Sequence, residues 1–281
     1  MLTTLLILAL LLGLAMLALL FFARSIEHKL VYFPEPAYGD SPARLGLPFE
    51  DITLSTADGE TLRAWYLPAA PNAAGPGVQL LFCHGNAGSR ERRLDNLAGL
   101  HHAGIAVLIF DYRGYGGSSG SPSEQGVITD GMAAYDWLAA RFPEQPVVAF
   151  GRSLGGAVAA QVALRRPIAG MILESTFTSA KAMAPRVLPL PGVTWFVRHR
   201  FDTRAALSEI TQPLLIIHGT RDELVPYDMG EALFAAAVSP HKTFHAVPGG
   251  QHNDTYAVAG NDYYRWLLDF LQEVEAQTGK P

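Results

Sequence analysis

The sequence predicts an α/β domain built on a mostly parallel sheet with helices on both faces. Three observations carry this reading. Apolar runs of strand length, Val78 to Cys83, Ala106 to Phe110, Val147 to Phe150, Ile168 to Leu173, Leu214 to Ile217 and Thr243 to Val247, alternate with helix-forming stretches. Ala106 to Phe110, Val147 to Phe150, Ile168 to Leu173 and Leu214 to Ile217 are continuously apolar, as a strand covered on both faces requires. Finally, Val147 to Phe150 passes through Gly151-Arg152-Ser153-Leu154-Gly155 straight into the helix-forming Gly156 to Leu164. Glycines on either side of such a turn let strand and helix pass close to each other.

At 281 residues the chain is long enough for one large domain of this class, preceded by a distinct amino terminus. Leu2 to Ala23 holds no charged side chain. About 22 residues at about 1.5 Å each reach about 33 Å, enough for a hydrocarbon core of about 30 Å. A cleaved signal peptide fits less well. The apolar stretch exceeds a usual h-region, no basic side chain precedes it, and Phe21-Phe22-Ala23 puts a bulky residue at the −3 position. Residues 1–23 are therefore expected to form a retained transmembrane helix, making this a single-pass membrane protein. Arg24 and Lys29 flank the segment and lean the domain toward the cytoplasm, although long domains translocate largely regardless of charge.

Residues 24–49 are rich in proline (Pro34, Pro36, Pro42, Pro48) and read as a juxtamembrane connector with little regular structure. The main domain is expected over 50–281. It opens with an antiparallel hairpin, Asp51 to Ser55 and Thr61 to Leu67, around the turn Ala57-Asp58-Gly59. Ser121-Pro122-Ser123-Glu124 reads as a capping box, with proline at the first helical position, ahead of a helix over Val127 to Phe142. Pro185, Pro189 and Pro191 break the stretch from Ser175 to Ile210, which contains Leu188, Leu190, Trp195 and Phe196. A loop of this length in a compact domain is usually a lid or binding loop, so a small cap is expected at about 175–210.

Composition excludes several classes. A net charge of −5, without a basic block or a cysteine-histidine cluster, gives no footprint for nucleic acid and no metal-ligand set. The single cysteine, Cys83, excludes an internal disulfide and reads as a small buried hydrophobe at a strand end.

The chemistry starts at Ser153. At the tip of a strained strand-to-helix turn its Oγ is exposed, and the new helix aims its first N–H groups at the same spot. Gly116-Gly117-Ser118-Ser119-Gly120 matches the same pattern but runs into Ser121-Pro122, not from a strand into a helix, and is set aside. A serine hydroxyl needs a base, and the base needs an acid to fix its tautomer. His252, in a glycine-containing loop after Thr243 to Val247, supplies the base. Asp222, after Leu214 to Ile217, supplies the acid. In His84-Gly85-Asn86-Ala87-Gly88, small residues after the first long parallel strand let backbone N–H groups approach a substrate oxygen. With the N–H of Leu154, that of Asn86 is expected to form an oxyanion hole.

These residues, together with Val31-Tyr32-Phe33-Pro34, Asp111-Tyr112-Arg113-Gly114-Tyr115-Gly116 and His218-Gly219-Thr220-Arg221-Asp222, resemble the α/β-hydrolase family, in its membrane-anchored, small-cap subgroup that includes lipases and depalmitoylases. The co-linear motifs span essentially the whole soluble part. The resemblance implies the α/β-hydrolase fold, with Ser153 as nucleophile, Asp222 as acid and His252 as base, in the chain order of that fold.

The remaining polar residues have structural readings. His84 opens its loop as a structural residue, Asp111 accepts backbone N–H groups in a turn with Arg113 paired nearby, and His241 and His245 lie on or beside a strand. Glu174, Glu223 and Asp254 are the rival acids. Arg198-His199-Arg200 and Arg204 read as a solvated, locally paired surface interrupted by Asp202.

The expected activity is serine hydrolysis of a carboxylic ester or thioester through an acyl-enzyme, on a small-molecule or lipid-like acyl substrate, with no metal or organic cofactor. The alternatives are a serine peptidase of aminopeptidase type and a non-catalytic membrane-bound scaffold. Oligomeric state and membrane face stay open.

Overall fold

The computed structural model describes residues 26–71 and 75–279, together with Ile7, Leu10, Leu11 and Gly13, which are helical. The rest of the membrane span expected over 1–23 lies outside the described residues. Among the described residues, no helix is long and apolar enough to cross a membrane.

Among the described residues, eight strands make one sheet. β1 (Glu50–Ser55) and β2 (Thr61–Leu67) form the expected antiparallel hairpin. β3 (Gln79–Cys83), β4 (Ala106–Phe110), β5 (Val147–Arg152), β6 (Gly170–Glu174), β7 (Leu214–Gly219) and β8 (Lys242–Val247) are mutually parallel, in the order β1-β2-β4-β3-β5-β6-β7-β8. Only β2 meets this group antiparallel, along β4. β5, β6 and β7 continue past their apolar runs to take in Arg152, Glu174 and His218-Gly219. Ladder bonding extends to these polar residues at the carboxyl edge, which is where the site lies.

The period of two along each strand divides the core. Leu81, Ala149, Leu173 and Ile216 face one side with Val127 and Leu138 of helix α2 (Glu124–Arg141), Val158 of α3 (Leu154–Ala163) and Leu233 of α6 (Tyr227–Ala236). Leu80, Phe82, Val148, Phe150, Ile172 and Leu215 face the other, against Leu97 and Leu100 of α1 (Leu94–His102) and Leu267 and Leu271 of α8 (Asn261–Thr278). Phe82 and Phe150 stack across the two central strands at 4.4 Å. Each such side chain contributes about 1.5–3 kcal/mol of transfer free energy.

Two local expectations are corrected. The cap of α2 is Ser123, whose side chain accepts the Gly126 N–H; Pro122 and Ser121 lie outside the helix. The hydroxyl that reaches a free amide defines the cap, and Ser121 is too far upstream to do so. The connector also has more structure than its prolines suggest. Residues 26–31 are helical, Phe33–Pro34 bridges in parallel to Ala87–Gly88, and Pro42–Leu45 makes a 3-10 turn. Tyr32 and Leu47 are buried in the two halves of the core. The connector lies against the loop that follows β3.

The cap region holds α4 (Ala180–Val187), a 3-10 turn (Val193–Trp195) and α5 (Thr203–Leu207). α4 has no buried residue, whereas Phe201, Ala206, Leu207 and Ile210 belong to the core. The projecting part is thus narrower than 175–210, because the apolar residues from 201 onward pack into the body. Its two legs are tied by main-chain bonds, Ala180 N–H to Arg200 O and Arg204 N–H to Thr178 O, both at 3.0 Å. α7 (Thr255–Ala259) follows the loop carrying His252.

Candidate active site

Ser153 sits between β5 and α3 at φ 54° and ψ −121°, a region that costs a non-glycine residue about 1–3 kcal/mol. Its surroundings hold it there. The Ser153 N–H donates to Glu174 O at 2.9 Å, and Ser153 O accepts from Thr176 Oγ1 at 2.7 Å and Gly156 N–H at 3.0 Å. The neighbouring glycines are set by close approach. A Cβ on Gly155 would lie 1.9 Å from Cys83 O, and one on Gly156 would lie 2.4 Å from Thr176 Oγ1.

His252 arrives from the loop after β8. Its Nε2 is 3.0 Å from Ser153 Oγ, and its Nδ1 is 2.9 and 3.0 Å from the two carboxylate oxygens of Asp222. An ionised carboxylate only accepts, so the proton belongs on Nδ1, leaving the Nε2 lone pair facing the serine hydroxyl. Asp222 also accepts the N–H groups of Leu224 at 2.9 Å and Val225 at 2.8 Å. Burial pushes its carboxyl up, but hydrogen bonds from His218 and His252 outweigh burial and hold it well below the usual carboxylate range. The structure therefore brings Ser153, His252 and Asp222 into one hydrogen-bonded series.

The other two residues of the sequence-derived site lie beside it. Leu154 is the first residue of α3, so its N–H has no acceptor within the helix. Asn86 turns its other groups away, its Nδ2 donating to Val31 O at 3.0 Å and its carbonyl accepting from Phe33 N–H at 3.0 Å and Tyr115 OH at 2.9 Å. The Asn86 N–H makes no hydrogen bond among the described residues. A Cβ on Gly85 would be 3.4 Å from Ser153 Cβ, so this loop lies against the turn.

The rival acids are engaged elsewhere. Glu174 is fully buried, accepts from Thr255 Oγ1 and, at 2.8 Å, from Tyr263 OH, and lies 3.6 Å from Arg152 Nε. Glu223 accepts the backbone N–H of His252 at 3.2 Å, and Asp254 that of Gln251 at 2.6 Å. His84 is buried, with Nδ1 2.7 Å from Gly85 O, and burial followed by the Arg93 charge pushes it down to about 3. It is neutral at physiological pH. Asp111 accepts from the Arg90 N–H and guanidinium, and Arg113 joins Asp58 to Asp130. His245 stacks on Trp266 at 4.3 Å, and His241 lies 3.5 Å from Glu273.

Two supporting residues escaped the sequence reading. His218 Nε2 lies 2.9 Å from Val225 O and 3.4 Å from Asp222, both acceptors, so it carries the proton and braces the Asp222 carboxylate. Arg152 donates to His252 O. A buried arginine at a strand end demands an acidic partner, and Glu174 stands opposite Arg152 in the β5–β6 register. That pairing is the signal that could have found it.

Comparison with known proteins agrees with this architecture. A family profile described as serine aminopeptidase, S33 (Hydrolase_4) matches residues 75–205 and 193–255. The alpha/beta hydrolase domain-containing protein WAV2 of Arabidopsis thaliana is 38% identical over 283 residues, covering 91% of each chain. Protein bem46 of Schizosaccharomyces pombe is 34% identical over 283 residues, covering 95% of this chain and 94% of its own. In fold, the Pyrococcus furiosus esterase Pf2001 superposes with a TM-score of 0.71 at 23% identity, covering 86% of this chain and 98% of that one. On this coverage and identity, the chain belongs to the α/β-hydrolase family.

Proposed function

We propose that the protein is a membrane-anchored serine hydrolase that cleaves carboxylic esters or thioesters through an acyl-enzyme on Ser153. The observation that carries this reading is the unbroken hydrogen-bonded series from Asp222 through His252 to Ser153 Oγ. His252 Nε2 takes the hydroxyl proton as Oγ bonds to the acyl carbon. The oxyanion is received by the N–H groups of Leu154 and Asn86, and the imidazolium is stabilised by Asp222. Collapse passes the proton from His252 to the leaving alcohol or thiol. Water, deprotonated by the same imidazole, then releases the acid and restores Ser153.

The uncharged segment from Leu2 to Ala23 supports the anchor, and with the apolar cap residues it favours an acyl chain of lipid character. The matching profile's description favours a second reading, an aminopeptidase. Such an enzyme needs a carboxylate for the free ammonium group, and Glu174 is already held by Thr255, Tyr263 and Arg152.

The test is turnover of para-nitrophenyl esters from acetate to palmitate by detergent-solubilised protein beside Ser153→Ala. A wild-type-only rate, with an optimum at longer chains, is expected. No rate above the variant, with peptide amides cleaved instead, would replace the esterase reading by the peptidase one. Absence of fluorophosphonate labelling would sink both. Deleting residues 1–23 is expected to move the protein into the soluble fraction.

A further inference from the structure

The cap carries an unpartnered surface of mixed character. Trp195 is 86% exposed, and Val187, Leu190 and Phe196 are each roughly half exposed, at 49%, 57% and 46%. α4 packs against the turn holding Trp195, so these side chains belong to one small structure. Between Ser175 and Phe201 the chain has Lys181, Arg186, Arg198 and Arg200 and no acidic residue, although the whole protein carries a net charge of −5. All four basic residues are exposed. Apolar side chains with a tryptophan among them, flanked by exposed lysine and arginine, are the composition that partitions into the boundary between acyl chains and anionic headgroups.

The position of this surface follows from the connector. Glu27 accepts the backbone N–H groups of Arg198 at 2.8 Å and His199 at 2.9 Å. Tyr32 adds an edge-to-face contact with His199 at 5.4 Å. Glu27 is four residues beyond Ala23, where the uncharged segment ends. Four residues reach at most about 14 Å when fully extended and about 6 Å when helical. A chain anchored through that segment holds the basic edge of its cap within this distance of the membrane boundary.

We propose that the cap docks on the bilayer that holds the amino-terminal segment, with Val187, Leu190, Trp195 and Phe196 in the acyl boundary and Lys181, Arg186, Arg198 and Arg200 at anionic headgroups. The inference rests on the anchor part of the proposed function. The cap grows from Thr176, whose hydroxyl holds the Ser153 carbonyl, so docking brings the nucleophile's turn close to the lipid.

Full-length protein reconstituted in phosphatidylcholine–phosphatidylserine vesicles, with and without brominated acyl chains, tests this by tryptophan fluorescence. Bromine-dependent quenching is expected in the wild type, most of it lost in Trp195→Phe, with both proteins staying in the vesicle pellet after a carbonate wash. The quenching is also expected to fall in Arg186→Gln/Arg198→Gln and when phosphatidylserine is omitted. Equal quenching in wild type and Trp195→Phe, with both still in the pellet, would overturn docking while leaving the anchor standing. Release by carbonate would overturn the anchor, and docking with it.

Discussion

The Arg152 guanidinium donates to the carbonyl oxygen of His252 at 3.0 Å, joining the residue before the nucleophile to the residue that would deprotonate it. The same guanidinium lies 3.6 Å from Glu174, which accepts from Thr255, three residues beyond His252. The loop bearing His252 is thus held at two points by one buried ion pair. Arg152→Met leaves the Glu174 carboxylate buried without its cation. Loss of one partner of a buried pair costs about 3–5 kcal/mol, so urea denaturation is expected to show a stability loss of that order. Fluorophosphonate labelling of Ser153 is expected to slow in the fraction still folded.

Asp222→Asn removes the anionic acceptor at His252 Nδ1 while preserving side-chain shape. On the proposed mechanism a fall in kcat on the order of 10³–10⁴ is expected, with KM little changed. The carboxyl is also linked to stability. Its folded value is depressed, so its contribution is complete above the unfolded carboxylate value of about 3.9 and is lost as pH falls below it. The difference in stability between wild type and Asp222→Asn is expected to narrow in acid titrations below about pH 4.

His84 gives a separate acid signature. Burial lowers it from 6.5 to about 3, so between these values the unfolded chain binds a proton that the native state refuses. Stability then falls with falling pH across that window by up to about 1.4 kcal/mol per pH unit. His84→Gln is expected to flatten this limb in denaturation curves taken from pH 7 to pH 4. An unchanged slope would mean that the buried imidazole is protonated in the folded protein.

Gly155→Ala would set a methyl group 1.9 Å from Cys83 O, a backbone atom of β3 that has no room to retreat. Overpacking of this kind costs about 1–3 kcal/mol or more, and here it also pushes α3 off the sheet. A lower melting temperature and loss of Ser153 labelling are expected together. Gly249→Ala is the control: that glycine has φ 77° but open space around it, so only backbone strain is expected there.

Much of this was legible in the chain because burial on two faces leaves a simple mark. A strand such as Ala106–Phe110, buried throughout, has nowhere to place a polar side chain, so its run is unbroken. The nucleophile's turn was equally plain, since strand, Ser153 and helix are contiguous in sequence. Less was readable where a side chain chooses among equivalent neighbours. Ser121 and Ser123 look alike as caps until one hydroxyl meets the Gly126 N–H. The prolines of the connector signal an extended path but not that Tyr32, just ahead of them, will enter the core. His218 supports Asp222 across a tight turn after β7, and in sequence it was only part of a motif.

The main-chain ties between the cap's legs, Ala180 N–H to Arg200 O and Arg204 N–H to Thr178 O, involve no side chain. The excursion between Ala180 and Arg200 is closed at its base like a drawstring, with Met183 packed against the core and Phe201, just beyond the tie, held in the body. Such a junction makes the insert exchangeable: a different stretch grafted between Ala180 and Arg200, with Phe201 kept, would retain its footing. Selectivity could then be redesigned while the Ser153 turn stays intact.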